Sequence, residues 1–235
     1  MTRTIEAIVE EQAHRWQLRR EDRSADPHGP VVTVSRQHGA GGGEVARTLA
    51  AELGLDLFDR EIIQRIAEST HLSERVVASL EGDRDVLSDW LASIATSNYL
   101  SPVEFRYHLS RVVGALAQHG GAVILGRAAH LVLGPGGALR VLVVAPLEAR
   151  VRTIAERDGV EEREARRRIV SVEAERRAFL MKHFHSDFAD PTTFDVVVNT
   201  AVLGVSGACV AIRTAVQAMP ARLVPVSDRV AGVTR

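Results

Sequence analysis

The stretch VVTVSRQHGAGGGE, residues 31–44, decides the fold. It opens with a continuous β-branched run of the kind found in strands that are buried on both faces of a parallel sheet. A glycine cluster follows, and Val45, Leu49 and Leu53 then recur on one face of a helix that Gly54 ends. A strand, a glycine turn and a helix N-terminus in this order suit an anion, because glycine lets main-chain amides approach oxygen atoms and the helix N-terminus is partially positive.

The segment SRQHGAGGGE, residues 35–44, is named the glycine loop here, and it lacks the usual lysine. Against the phosphate-loop pattern G-x-x-x-x-G-K-[ST], Arg36 stands at the first glycine, Gly42 at the lysine and Gly43 at the hydroxyl residue. Lys182 is the only lysine, so 28 of the 29 basic residues are arginine. Any phosphate chemistry must therefore use arginine and backbone amides. The alternative interpretation is a glycine-rich turn without a ligand.

The rest of the chain alternates between buried-strand and helical patterns. Strands are predicted at 55–58, 122–126, 139–146 and 194–199, and helices at 60–119, 147–158, 161–184 and 203–218. This alternation predicts an α/β fold with a doubly wound parallel five-stranded sheet. The predicted domain spans residues 31–219. An amphipathic helix over 4–20 and a linker up to 30 precede it, and a loose tail from 220 follows.

Composition and charge narrow the class of protein. The chain has 235 residues with 29 basic and 30 acidic side chains, a net charge of −1. Such a balance gives no basic footprint for nucleic acid or for an anionic membrane. Cys209 is the single cysteine, which excludes an intramolecular disulfide and fits a reducing compartment. We therefore predict a soluble, cytoplasmic protein whose N-terminal helix packs on its own domain, forms a homodimer or docks a partner.

The residues VVTVSRQHGAGGGEVARTLAAELGLDLFDREII resemble the opening of the cytidylate kinase-like family, a branch of the nucleoside monophosphate kinases with a GxGG loop. The likeness continues at AVILGRAAHLVL, LRVLVVAPLEARVRTI and VEAERRAFLMKHFHSDFADPTTFDVVVNTAVLG, covering roughly 31–215. The resemblance implies a P-loop NTPase-like fold with a helical acceptor insertion at about 59–119 and an arginine-rich lid at about 160–190. It also implies transfer of the γ-phosphate of ATP, with Mg²⁺, to a nucleoside monophosphate, namely CMP or dCMP.

The glycine loop is then expected to hold the donor. The donor-binding candidates are Ser35, Arg36, Gly39, Ala40, Gly41, Gly42, Gly43 and Glu44. Among them, Arg36 would partly replace the lysine, because a guanidinium can hold phosphate through two bonds. The alternative is an ion pair of Arg36 with Asp59 or Glu44. Glu44 is a weak candidate for Mg²⁺, and the alternative is a helix-start carboxylate favoured by the helix dipole.

The acceptor side has three candidates. Arg127, in a Gly-Arg pair like that of cytidylate kinases, is expected to bind the acceptor phosphate, although Ala128 stands where the family has aspartate. Asp59 lies where the acceptor region begins, and the alternative is a helix cap. Arg106 is a second acceptor-phosphate candidate, with a solvated helix face as the alternative.

The lid and the last strand supply the remaining candidates. Arg163, Arg167 and Arg176 are expected to neutralise the transferring group when the lid closes. The alternative is that they are solvated or paired with neighbouring glutamates. Asn199 and Thr200, at the end of the last strand, are expected to contact the donor base, and the alternative is a strand-end turn.

Two other functions stay open. The loss of lysine and hydroxyl at Gly42 and Gly43, together with Ala128, fits a nucleotide-binding sensor or scaffold that transfers no phosphate. The third interpretation is a kinase whose acceptor is a small molecule other than a nucleotide.

Overall fold

A computed structural model describes residues 29–59, 63, 102–187 and 190–219. The predicted N-terminal helix, the C-terminal tail and most of the acceptor insertion lie outside these residues. The described strands are β1 (Val31–Arg36), β2 (Asp56–Phe58), β3 (Ala122–Leu125), β4 (Leu139–Val144) and β5 (Val196–Asn199). The described helices are α1 (Gly42–Leu53), α2 (Pro102–His119), α3 (Ala129–Leu133), α4 (Leu147–Asp158), α5 (Glu162–Phe184) and α6 (Thr200–Gln217).

The five strands form one parallel sheet in the order β2-β3-β1-β4-β5. Both faces are covered, as the β-branched run of β1 predicts. Val32 and Val34 belong to the core beneath α1 and α6, whereas Val31 and Ile124 belong to the core beneath α2 and α3. The predicted doubly wound α/β fold is confirmed.

Two helices end at the glycines that the sequence predicts. α1 ends before Gly54 and α4 before Gly159, and both glycines adopt φ of 64°. This left-handed conformation is one that glycine adopts without steric cost, which is why both helices end there.

The last helix departs from its predicted bounds. α6 starts at Thr200 rather than at 203, because the Asn199 side chain accepts a hydrogen bond from the Ala201 amide and so caps the helix. A break at Gly204, with φ of 64°, separates this first turn from the regular helix. The pattern had shown only the part beyond the break.

α6 is also the one described helix that, by length and composition, is apolar enough to cross a membrane. Its Ala208, Cys209 and Ile212 are buried in the core under the sheet. Because core helices pass the same test of length and composition, a single such helix is weak evidence for a membrane protein.

The carboxyl ends of the strands all lie at one edge of the sheet. The glycine loop follows β1, a turn at 126–128 follows β3, Ala145 and Pro146 follow β4, and α6 starts directly after β5. In open parallel sheets this edge is where ligands bind.

Candidate phosphate-binding site

The glycine loop leads from β1 into the N-terminus of α1. Gly41 caps the helix with φ of 72° and without a side-chain hydrogen bond. The Glu44 amide donates to the Gly41 carbonyl at 2.9 Å, so the amides of Gly42 and Gly43 are those of the first turn that a ligand can reach. Gly39 has φ of 85°, and a Cβ there would come within 2.8 Å of the Arg150 carbonyl oxygen. The loop is thus closely packed at Gly39 and presents a helix N-terminus, which is a favourable environment for an anion.

Arg36 explains two further glycines. A Cβ at Gly42 would overlap the Cβ of Arg36, and one at Gly126 would overlap its guanidinium. The Arg36 side chain therefore passes over the start of α1 and reaches the turn after β3. Gly43 has ordinary space around it, because a Cβ there would lie 3.8 Å from the nearest neighbouring atom, on the flexible Arg47 side chain.

The Gly-Arg turn, residues 126–128, contains three successive left-handed residues. Gly126, Arg127 and Ala128 have φ of 82°, 51° and 55°. The Gly126 amide donates to the Val34 carbonyl at 3.0 Å, which ties the turn to β1. Left-handed conformations at arginine and alanine cost free energy, and such strain tends to occur at functional sites.

An open pocket lies between the end of β1, the Gly-Arg turn and α5. Together with its solvent-filled mouth, it encloses about 640 Å³ of empty space. Three arginines line it, alongside other polar and apolar side chains. The lining residues are Ser35, Arg36, Gly126, Arg127, Ala128, His130, Glu175, Arg176, Phe179 and Leu180. The sequence candidates Ser35, Arg36, Arg127 and Arg176 thus come together.

The three lid arginines do not behave alike. Arg176 lines the pocket, and its Nη1 donates to the Arg36 carbonyl oxygen at 2.8 Å. Arg163 and Arg167 lie on exposed parts of α5, and Arg167 pairs with Glu164. In this conformation α5 brings one of the three predicted arginines to the site. The alternative of pairing with a neighbouring glutamate describes Arg167.

Two side chains of the pocket, Arg127 and Ser35, each contact a ring. The Arg127 guanidinium lies 5.5 Å from the ring centre of Phe179 on α5. The Nδ1 of His130 lies 3.2 Å from the Ser35 hydroxyl, and the His130 ring stacks on Phe194 at 4.6 Å. Burial, together with the positive charge of Arg140, lowers the pKa of His130 to about 4, so the ring is neutral near pH 7.

The glycine loop is also held by Arg150 and Glu173, two residues to which the sequence analysis gave no role. Arg150, on α4, is buried, and it donates to the His38 carbonyl and pairs with Glu173 of α5. Glu173 lies within the predicted lid, and Arg150 lies in the predicted helix 147–158 among several other arginines. Only its burial, together with that of Val151 and Ile154, distinguishes Arg150 from the other arginines of α4.

Thr200 and Asn199 have local roles. The Thr200 hydroxyl donates to the Ala40 carbonyl at 2.8 Å and lies 3.3 Å from that of Val144, so it ties the start of α6 to the glycine loop. Asn199 is the α6 cap, which is close to the strand-end turn offered as the alternative to a base contact.

The other candidates lie outside the pocket lining. Arg106 donates from Nη1 to the His183 carbonyl at 3.3 Å, in the last turn of α5. Asp59 is half-buried, and its carbonyl accepts from the Ile63 amide at 3.1 Å. Glu44 is exposed in the first turn of α1, where the helix dipole favours a carboxylate.

A five-stranded parallel sheet with a glycine loop at a helix N-terminus, and three guanidinium groups beside it, defines a phosphate-binding α/β protein of the P-loop class. The model of the cytidylate kinase-like family matches residues 31–202. The chain belongs to this family.

Individual proteins agree with this assignment. A cytidylate kinase of Ignicoccus hospitalis is 33% identical over 175 residues, which cover 74% of this chain and 91% of that protein. A cytidylate kinase of Aeropyrum pernix is 30% identical over 174 residues, covering 73% and 90%. Among solved structures, an uncharacterized protein from Eubacterium ventriosum has a TM-score of 0.62 at 18% identity and covers 81% of this chain and 99% of its own, which supports the fold alone.

Proposed function

We propose that the protein is a phosphotransferase that moves the γ-phosphate of ATP to a nucleoside monophosphate, with CMP or dCMP as the acceptor. The observation that carries the proposal is the convergence of Arg36, Arg127 and Arg176 on one pocket beside the glycine loop. Relatives named cytidylate kinase at 30–33% identity supply the class of acceptor.

The proposed chemistry is positioning and charge neutralisation. The main-chain amides at the start of α1 face the donor phosphates, where glycine allows close approach. Arg127, on the strained turn, takes the acceptor phosphate, and Arg36 and Arg176 offset charge on the group in transfer. Since the acceptor phosphate is already an anion, its oxygen attacks in line without a general base.

Mg²⁺ fits this arrangement as a substrate-bound ion. It is commonly held by one or two carboxylates together with nucleotide phosphates, rather than by a protein cage. Within the described ranges no three His, Cys, Asp or Glu side chains form such a cage. The Glu44 carboxylate, exposed beside the loop, is the oxygen donor that would hold the ion directly or through water. When bound, Mg²⁺ would neutralise charge on two phosphates of the nucleotide.

The test is ADP release from Mg-ATP with a panel of nucleoside monophosphates. We expect turnover with CMP or dCMP, and a loss of at least about 100-fold in kcat/KM for Arg127→Ala, since one phosphate-binding arginine contributes on this order. Arg213→Ala, which removes an exposed ion pair with Glu52 and lies outside the pocket lining, is the control and should keep wild-type kinetics.

Each alternative has its own signature in the same assay. ATP binding without turnover on any acceptor would replace the enzyme with a nucleotide sensor or scaffold. Turnover confined to a non-nucleotide acceptor would keep the kinase and change its substrate.

A further inference from the structure

One residue of the glycine loop, His38, is hydrogen-bonded through both its main-chain amide and its main-chain carbonyl. The His38 amide donates to Glu173 Oε1 at 3.4 Å, and the His38 carbonyl accepts from Arg150 Nη1 at 3.2 Å. The two side chains pair with each other at 2.6 Å. Main-chain donor and acceptor of one loop residue are therefore bound by the two members of a single ion pair.

This ion pair is anchored to the sheet. Arg150 is 6% exposed, and its Nε donates to the Ala145 carbonyl at 2.9 Å, directly after β4. Its own carbonyl oxygen packs against Gly39, where a Cβ would come within 2.8 Å. A buried charge with several fixed partners has little freedom to move. The Arg150 guanidinium therefore holds the loop at a fixed distance from the end of β4.

The same helix touches the loop a second time. Glu173 and Arg176 are three residues apart on α5 and lie on one side of it, and Arg176 donates to the Arg36 carbonyl. α5 thus contacts the loop main chain at residues 36 and 38. In the pair itself, Arg150 offsets the carboxylate charge of Glu173, which would otherwise repel an anion bound at the loop.

A loop without lysine depends more on the direction of its amides. Misplacement of binding groups by about 1 Å can cost on the order of 100-fold in rate. With Gly42 in the lysine position, the main chain and the arginines are what the loop offers to phosphate. Contacts that hold the loop main chain in place should therefore also strengthen binding of the donor nucleotide.

We propose that Arg150 and Glu173 are positioning residues that clamp the glycine loop in its ATP-binding shape and couple that shape to α5. This inference rests on the proposed function in that the loop is taken to bind ATP. It predicts that the clamp affects the donor nucleotide more than the acceptor.

The test compares two carboxylates of the α4–α5 interface in the full-length protein. Glu173→Ala removes the clamp, whereas Glu148→Ala removes the exposed Arg166–Glu148 pair, which joins the same two helices away from the loop. For Glu173→Ala we expect ATP to bind at least about tenfold more weakly by calorimetry, with the KM for CMP within about twofold. Glu148→Ala should bind ATP as the wild type does. A tenfold loss corresponds to ~1.4 kcal/mol.

A second measurement does not depend on ATP. Hydrogen–deuterium exchange of the 36–43 segment in the nucleotide-free protein should be faster in Glu173→Ala and unchanged in Glu148→Ala. Glu173→Gln keeps an oxygen acceptor for the His38 amide and should restore part of the protection; it also serves if the alanine variant fails to fold. Equal exchange and equal ATP affinity in wild type and Glu173→Ala would overturn the clamp. A wild type that binds no ATP would instead overturn the proposed function and leave the exchange result to decide the clamp.

Discussion

At the scale of single residues, the position of the Arg36 side chain explains why residue 42 is glycine rather than the usual lysine. Its side chain passes over Gly42 and reaches Gly126, and both positions are too close to it for a Cβ. The Arg36 Cβ is fixed to the main chain and would lie 2.4 Å from a Cβ at position 42, so a larger residue there would push the end of β1 and the start of α1 apart and shift Arg36 with them. The glycine in the lysine position is thus matched to Arg36, six residues earlier. The Arg36 side chain occupies the space that a lysine at position 42 would need.

This matching yields a paired prediction. Gly42→Ala should displace Arg36 and lower kcat/KM by at least about tenfold, since a charge-assisted contact of this kind is worth roughly 1.5–3 kcal/mol. Gly43→Ala, next along the helix, meets ordinary space within the described structure and should leave the melting temperature unchanged or raise it slightly.

Steady-state kinetics and thermal melts of both variants test the pair. Equal activity in Gly42→Ala and wild type would contradict the matching of position 42 to Arg36. If Gly43→Ala loses ATP affinity while staying folded, a phosphate approaches that residue closely.

The same scale shows what sequence could reveal about the site. Ser35 and Arg36 end a buried strand shortly before the glycine cluster, and Arg127 directly follows Gly126 after another buried strand, so local pattern places them. Arg150 lies within an ordinary amphipathic helix, and its burial results from the packing of α4 under the loop. His130 likewise becomes a pocket residue through its contact with Ser35, 95 residues away in sequence. Such tertiary contacts leave no local signal.

At the scale of elements, helical phase separates the lid arginines. Arg167 and Arg176 are nine residues apart, and at about 100° per residue they lie half a turn apart on α5. One therefore faces the pocket while the other faces solvent. Because α5 is continuous over Glu162–Phe184, this relation was available from the sequence once the helix was taken as unbroken.

The start of α6 provides an element-scale prediction. Asn199→Ala removes the helix cap and should lower the free energy of unfolding by ~1 kcal/mol, with the KM for ATP unchanged. Thr200→Val removes the hydroxyl bound to the Ala40 carbonyl and should raise the KM for ATP by loosening the loop.

Chemical denaturation and kinetics of both variants distinguish the interpretations. A several-fold rise in the KM for ATP in Asn199→Ala, at wild-type stability, would support the expected contact with the donor base.

At the scale of the whole molecule, the alternation of buried strands and helices was sufficient to predict the sheet. Both-face burial follows from β-branched runs such as Val31–Val34, and helix ends follow from left-handed glycines such as Gly54 and Gly159. The short α3 and the first turn of α6 were missed. Neither shows a full helical period, and each is fixed by the strand end that precedes it.

A pH dependence of stability belongs to this scale. His130 is buried neutral, and burial with the nearby charge of Arg140 lowers its pKa from 6.5 to about 4. The unfolded chain therefore binds a proton that the folded chain excludes, so stability is lost as pH falls from about 6.5 to about 4. This one group should lower the free energy of unfolding by up to about 3 kcal/mol.

Denaturant titrations across that pH range test the sign. His130→Phe keeps a ring against Phe194 and should flatten the profile between these pH values, whereas the exposed His185→Gln should reproduce the wild-type profile. A wild-type profile that is level over this range would contradict the assignment.

The arginine walls of the pocket have a consequence for alkaline conditions. Guanidinium groups in proteins do not release their protons, whereas a lysine ammonium can when it is shielded from water. The positive charge that the three arginines would offer the proposed substrate phosphate is therefore expected to stay constant from neutral to strongly basic solution. Under the proposed function, we therefore expect any change of turnover in that range to come from groups other than these arginines.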